Sequence, residues 1–237
     1  MLCRLTELFT VAKRIFQTEG LPPLLGRGFI FLASCFFQYE TYYLYEIDIP
    51  KVLKQNDKPD AFRPEIRDFT LKIVSTNEQA DDLDRGGLEF RSQFINARKR
   101  LDRGAIAFCI FVGRELANIG WITLNNTAKD SLIELPFKVD FSNKEVCTGG
   151  AMTAPKYRNI GLMRYNYFKR LEFLKENGWL RDRAAVAKSN VAAQTGVVKI
   201  SDINIYAEAR FLKLLWWKFW WEKPLTPPSV HNQAETI

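Results

Sequence analysis

The segment Thr153-Ala154-Pro155-Lys156-Tyr157-Arg158-Asn159-Ile160-Gly161-Leu162-Met163 joins two stretches of opposite character. Before it, residues 145–153 read as a strand, and Gly149-Gly150 within them marks a bulge or a close backbone approach. After it, residues 161–177 read as a helix. Met163, Tyr167, Leu171 and Leu174 share one face, and Gly178 follows as a C-terminal cap. A helix that starts just past a strand presents unpaired N–H groups and the positive end of its dipole. Such a start is an anion site, most simply for a pyrophosphate. Gly161 permits close backbone approach, and Arg158 adds charge. The same residues also fit an ordinary turn carrying a solvated arginine, because many helices begin after Pro and Gly.

Outward from this junction the pattern is mixed. Upstream, residues 69–74 alternate as a strand, and 77–103 are helical and highly charged. Residues 105–112 form a continuous apolar run, the mark of a buried strand. Gly113-Arg114-Glu115 turns the chain into a second strand over 116–124, giving a hairpin. A short added strand is predicted over 136–141. Downstream, 183–187 read as a short strand, and Asn190 caps a helix reaching Lys199. From Ile203 to Phe211 apolar and polar residues alternate with period two, and a last strand is predicted over 216–221. The resulting order is β-α-α-β-β-β-α-β-α-β-β, without an internal repeat.

This order and the 153–163 loop resemble the GNAT acetyltransferase superfamily. Members carry an Arg/Gln-x-x-Gly-x-Gly/Ala loop after the fourth strand, and its amides hold the pyrophosphate of acetyl-CoA. Here the loop reads Arg158-x-x-Gly161-x-Met163. The Pro155-Lys156-Tyr157-Arg158 lead-in, the short strand to Ala187, and Ser189-Asn190 with Ala193 are similar too. The resemblance spans about residues 65–222, with specific motifs in 145–200. It implies an α+β, GNAT-like acyl-CoA N-acyltransferase fold: a mixed central sheet flanked by helices, with an N-terminal helical extension. It implies acetyl-CoA or another acyl-CoA as co-substrate and an amine-bearing acceptor. Cofactor contacts are expected at Ala151, Thr153, Arg158, Asn159, Ile160, Gly161, Leu162, Met163 and Asn190.

The chain also departs from that pattern. Met163 stands where a small residue is usual, and Ser201-Asp202 replace a Gly-Phe pair. Val197 takes the place of a tyrosine that serves as general acid to the departing thiolate. Cys147 stands where some members place a glutamate base, and Glu145, two residues earlier, faces the same side of a regular strand. The expected catalytic residues are therefore Glu145, as a base acting through water, and Cys147, as a nucleophile or a buried structural cysteine. These departures keep open a second reading, a catalytically inactive GNAT-like binding or scaffold protein. A third is a tRNA-dependent aminoacyl transferase of related fold.

Composition narrows the field. The 237 residues carry a formal net charge of +7, which favours anionic partners. No long Lys/Arg run marks a nucleic-acid stripe, so nucleic acid is not an expected partner. The four cysteines form no CxxC pair and His231 is the sole histidine, which argues against zinc and against histidine-based nucleophilic chemistry. Asp81, Asp82 and Asp84 read as a solvated helix face, and no metal is expected. Scattered cysteines suit a reducing cytoplasm.

Residues 1–48 are expected to form a helical accessory segment, 49–64 a linker, 65–223 the acyl-CoA-binding domain and 224–237 a polar tail. Leu5, Leu8, Val11, Ala12 and Ile15 lie on one helical face. The apolar run 24–37 is interrupted by Arg27 and falls short of the roughly 20 residues a membrane span requires. That run is either a helix buried on the domain or a helix on a membrane surface. Arg4, Lys13, Arg14 and Arg27 point to an anionic one, peripheral to the inner face of a membrane. Trp216-Trp217-Lys218-Phe219-Trp220-Trp221 fits either packing of the last strand or an aromatic wall or interface belt. Acceptor, acyl length and oligomeric state are not fixed by the sequence.

Overall fold

The computed structural model describes residues 36–55, 62–198 and 203–225, with scattered positions between 12 and 28. Its strands are β1 (Phe37–Asp48), β2 (Thr70–Val74), β3 (Ala105–Val112), β4 (Glu115–Thr123), β5 (Glu145–Thr153), β6 (Arg181–Ala187), β7 (Ile203–Leu214) and β8 (Trp217–Pro224). Its helices are α1 (Ile49–Gln55), α2 (Asn77–Arg85), α3 (Ala97–Asp102), α4 (Asn126–Leu132), α5 (Leu162–Glu176) and α6 (Val191–Val198). The strands form one eight-stranded sheet in the order β2-β3-β4-β5-β6-β1-β7-β8. Every pairing is antiparallel except β5 with β6. The expected α+β architecture, a mixed sheet flanked by helices, is present.

The continuous apolar run of β3 follows from burial on both faces. Ile106, Phe108 and Ile110 face α5, where Leu162, Phe168 and Leu171 pack. Ala105, Ala107, Cys109 and Phe111 face the opposite way, toward Ala80 of α2 and Ala97 and Leu101 of α3. Further along that second face, Leu135, Phe137 and Val139 cover β1, β5 and β7.

The expectation of a helical segment over residues 1–48 fails at its C-terminal end. Residues 37–48 form β1, which lies inside the sheet, paired with β6 on one side and β7 on the other. The reason is visible in its alternation. Leu44 packs with Ala207 and Ala209 on one face, while Ile47 packs with Tyr167 and Leu171 on the other. A strand buried on both faces suits this run of tyrosines and aliphatics better than a surface helix does. The described positions before it, from Ala12 to Gly28, are helical apart from Gly20. The remainder of 1–35, with Cys3, Arg4, Arg14 and Arg27, lies outside the described residues, as do Ser201, Asp202 and the tail from 226 onward.

The linker expectation also changes. Residues 49–55 are α1, whose Ile49, Val52 and Leu53 are buried against α5. Phe62 then stacks on Phe168 with ring centroids 4.4 Å apart. Among the described residues the packed domain thus reaches back to β1 at Phe37, well before residue 65.

Three smaller differences have local causes. The charged stretch 77–103 splits into α2 and α3 because Gly86 caps α2 and Gly87 takes a left-handed φ of 80°. Residues 136–141 join no strand ladder, although alternate side chains do enter the core. Helix α4 starts at an Asn125 cap whose side chain accepts from the Ala128 amide at 2.8 Å, a short element without a long apolar period.

Candidate functional site

The site forms where the sheet parts. Strands β5 and β6 pair only from Glu145 opposite Arg181 to Cys147 opposite Arg183. Beyond that point β6 continues along β1, with Ala184 opposite Tyr45 and Ala187 opposite Tyr42. Strand β5 continues along β4 instead. Residues 148–153 and 184–187 therefore bound a wedge that opens toward the C-terminal ends of two parallel strands. In α/β sheets ligands bind where neighbouring strands part at those ends.

Strand β5 carries a bulge beside the wedge. Ile119 pairs Met152 and Trp121 pairs Gly149, so Gly150 and Ala151 together oppose Gly120. Gly150 has φ 58°, and a Cβ there would lie 2.9 Å from Leu132. A Cβ on Gly149 would lie 2.7 Å from Ile133. The glycine pair lets the end of α4 approach the strand closely, as the sequence indicated.

The 153–163 loop closes the open end. Tyr157 is buried and donates to Glu115 at 2.5 Å, while Lys156 bridges the same carboxylate at 2.9 Å. Asn159 and Gly161 take left-handed φ values of 65° and 85°. The Glu65 amide donates to the Ile160 carbonyl at 3.1 Å, tying the loop to the chain before β2. The first intrahelical bond of α5 runs from the Tyr165 amide to the Gly161 carbonyl at 3.0 Å. The amides at the helix start thus lack intrahelical acceptors. Arg158 is exposed and its Nε donates to the Thr153 carbonyl at 3.3 Å.

The structure brings most of the expected cofactor residues together. Arg158, Asn159, Ile160, Gly161, Leu162 and Met163 form one continuous turn at the wedge mouth, and only the backbone of Leu162 is free to face a ligand, since its side chain is buried. Thr153 ends β5, and its hydroxyl accepts from Asn118 at 2.8 Å. Ala151 is exposed in the bulge. Asn190 stands at the start of α6, just past the C-terminal end of β6, where its side chain accepts from the Ala193 amide at 3.1 Å as a helix cap. Met163, unusual for this loop, reaches toward α6: a Cβ on Gly196 would lie 2.1 Å from the Met163 methyl. The missing side chain at Gly196 makes the room that Met163 fills. The backbone of Val197 lies in α6.

The two expected catalytic residues occupy structural positions. One Glu145 carboxylate oxygen accepts from Arg183 at 2.9 Å and lies 3.8 Å from Arg181; the other accepts from the Asp140 amide at 3.0 Å. Burial pushes the carboxyl up, but the Arg183 bond, the Asp140 amide and the two guanidinium charges outweigh it and hold the pKa below its ordinary value. A carboxylate so stabilised is a weak proton acceptor. Cys147 is fully buried, and burial together with the Asp182 charge pushes its thiol up to about 12. That thiol stays protonated and is no nucleophile. The geometry thus speaks against both roles.

A buried polar network at the base of the wedge escaped the sequence reading. Asp182 accepts from the Thr148 amide at 3.1 Å, the Thr148 hydroxyl at 2.8 Å and the Tyr167 hydroxyl at 2.6 Å. Arg170 lies over the Tyr167 ring at 4.8 Å, and Gly120 leaves the space for its guanidinium. Burial raises the Asp182 pKa, with the Tyr167, Thr148 and Arg170 contacts opposing it. The available signal was an aspartate at the start of a strand bound for the interior. Among the described residues, no group of three His, Cys, Asp or Glu side chains could hold a metal ion.

No family model matches the chain, and no curated protein matches it. Solved structures of similar fold include a Drosophila protein at 12% identity and TM-score 0.45, covering 82% of this chain and 58% of that one. A GNAT-family acetyltransferase from Novosphingobium aromaticivorans is 9% identical at TM-score 0.44, covering 73% of this chain and 63% of that one. A GNAT-family acetyltransferase from Colwellia psychrerythraea is 14% identical at TM-score 0.43, covering 74% of this chain and 55% of that one. The chain spans less than two thirds of the length of each of these structures. The likeness is one of chain course alone. At these identities it names no substrate or activity.

Proposed function

We propose that the chain is an acyl-CoA-dependent N-acyltransferase, moving an acetyl or longer acyl group from CoA to an amine. The observation that carries this reading is the wedge between β5 and β6, which opens directly onto the Gly161 start of α5. The α5 amides and Arg158 would hold the pyrophosphate. The β6-side edge of residues 149–153, beyond the Thr148 amide that Asp182 takes, would align the pantetheine arm as an added strand does. Amides freed at the Gly150–Ala151 bulge would face the thioester oxygen as negative charge develops there. The amine nitrogen then bonds to the acyl carbon, the C–S bond breaks with its electron pair on sulfur, and the nitrogen's proton passes through water to the thiolate. With Glu145 ion-paired and Cys147 buried, no side chain is assigned as base.

Those same two positions favour a second reading, a CoA-binding scaffold without turnover. Calorimetry of the full chain with acetyl-CoA and with CoA tests the binding common to both readings. Micromolar binding that weakens in Arg158→Ala supports it, and no heat at millimolar ligand overturns it. Thiol release from acetyl-CoA across an amine panel then separates enzyme from scaffold.

A further inference from the structure

The far end of the sheet carries an aromatic face with no counterpart in the acyl-transfer site. Strands β1, β7 and β8 run side by side there, with Phe37 opposite Leu214 and Leu214 opposite Trp217. Two residues further in, Leu212 lies opposite Phe219, and two further again Arg210 lies opposite Trp221. Side chains two apart on a strand share a face, so Trp217, Phe219 and Trp221 form a single ladder. The Trp217 and Phe219 rings meet edge-on at 6.4 Å, and Phe219 and Trp221 stack at 5.9 Å. All three are exposed, as are Phe36 and Phe37, and Trp216 in the turn between β7 and β8 is 77% exposed. A soluble surface rarely gathers so many large aromatics, and a contiguous patch of this kind marks a contact face.

We infer that this tip is a peripheral docking surface for an anionic lipid bilayer. Its composition fits the interface of a membrane, where indole rings sit at headgroup depth with their N–H groups hydrated. Its charge fits too. Across residues 36–41 and 210–221 the cations are Arg210, Lys213 and Lys218 and the carboxylate is Glu40, within a chain of net charge +7. Arg210 shares the face of the ladder, while Lys213 and Lys218 alternate onto the other face, where Lys218 bridges Glu134 at 3.0 Å. Apolar insertion plus basic attraction supplies the two signals that stable peripheral anchoring takes. Earlier in the chain, Phe16, Leu21 and Leu25 at described helical positions are exposed as well. Among the described residues no helix is long and apolar enough to cross a membrane. Pairing of β8 with a second copy is disfavoured, because this edge strand carries Lys218 and Lys223 and ends in Pro224. The inference does not depend on acyl transfer.

The test is co-sedimentation of the full chain with vesicles of phosphatidylcholine alone and of phosphatidylcholine with phosphatidylserine. Tryptophan emission is followed in parallel, with lipids brominated on the acyl chain as quenchers. Binding is expected only to the anionic vesicles, weakening with salt, with a blue shift and quenching. Trp216→Ser with Trp217→Ser should weaken partitioning more than tenfold. Lys213→Gln should weaken it about fivefold. Trp216→Ser alone, at a turn position open to solvent, serves where the double variant does not fold. Equal partitioning of the aromatic variants and the natural chain overturns the inference. So does lipid-free self-association that these variants abolish, which would make the tip a contact between copies.

Discussion

Asp182 accepts hydrogen bonds from both the amide and the hydroxyl of Thr148, at 3.1 and 2.8 Å, at the point where β5 and β6 stop pairing. The carboxylate takes the place of a strand carbonyl. It satisfies a buried donor on β5 that the diverging β6 backbone no longer reaches.

The Asp182 network should be costly to prune. Tyr167→Phe removes a 2.6 Å bond to the carboxylate and should destabilise the fold by about 1.5 to 3 kcal/mol in urea unfolding. The Asp182 pKa is raised above 3.8, so the folded state binds more protons than the unfolded one just above that pH. This group's contribution to stability is full below pH 3.8 and declines as pH rises through the folded value. Asp182→Asn should abolish that decline. Parallel pH profiles for the two proteins would show the carboxyl to be unshifted.

Glu145 behaves in the opposite sense. Its folded pKa lies below 4.5, so it adds stability above that pH and loses it as pH falls through the folded value. Glu145→Gln should cost about 1 to 3 kcal/mol at neutral pH and flatten the acid limb of stability. Arg183 keeps its second partner, Glu46, at 2.6 Å, which limits the cost. Where turnover is measured, the variant should keep any rise of kcat with pH that the natural chain shows. Loss of that rise would restore Glu145 as a base.

Two substitutions separate ligand binding from loop strain. Arg158 is exposed, so Arg158→Ala should leave the melting temperature unchanged while weakening acetyl-CoA binding about 10- to 100-fold. Gly161 has φ 85°, and a Cβ there would sit 3.4 Å from the Pro64 Cα. Gly161→Val should therefore lose both binding and about 1 to 3 kcal/mol of stability. Unchanged calorimetric affinity in both variants would remove the loop from the cofactor site.

The buried thiols give a fourth check. Cys109 and Cys147 are fully buried and both have raised pKa values, Cys147 near 12. Iodoacetamide at pH 8 should leave both unmodified in the native chain and label both in urea, as read by peptide mass spectrometry. Rapid native labelling of Cys147 would show an accessible thiolate.

Removing the N-terminal region should not yield a free domain. A chain starting at Lys51 lacks β1 and with it Leu44, Tyr45 and Ile47, each at most 1% exposed. Burial of such side chains contributes about 1.5 to 3 kcal/mol apiece, and β6 and β7 would face an empty lane in the sheet. Circular dichroism should report an unfolded or molten chain. A cooperative native melt would show that β1 is dispensable.

Much of the fold was open to reading because its signals are local. The apolar run of β3, the hairpin into β4, the face of α5 and the alternation of β7 each depend on neighbours within a few residues. The Gly161 helix start was legible for the same reason. Tertiary structure decided what depends on distant partners. The strand identity of residues 37–48 comes from the lane between β6 and β7, more than 130 residues away in sequence. Glu145 reads as a base in sequence, but Arg183 closes on it, and Met163, where a small residue is usual, fits because Gly196 makes room. The Thr148–Asp182–Tyr167 network joins three elements that no period in the sequence connects. A side chain's protonation and contacts are set by whatever the folded chain brings against it, and that information is not local.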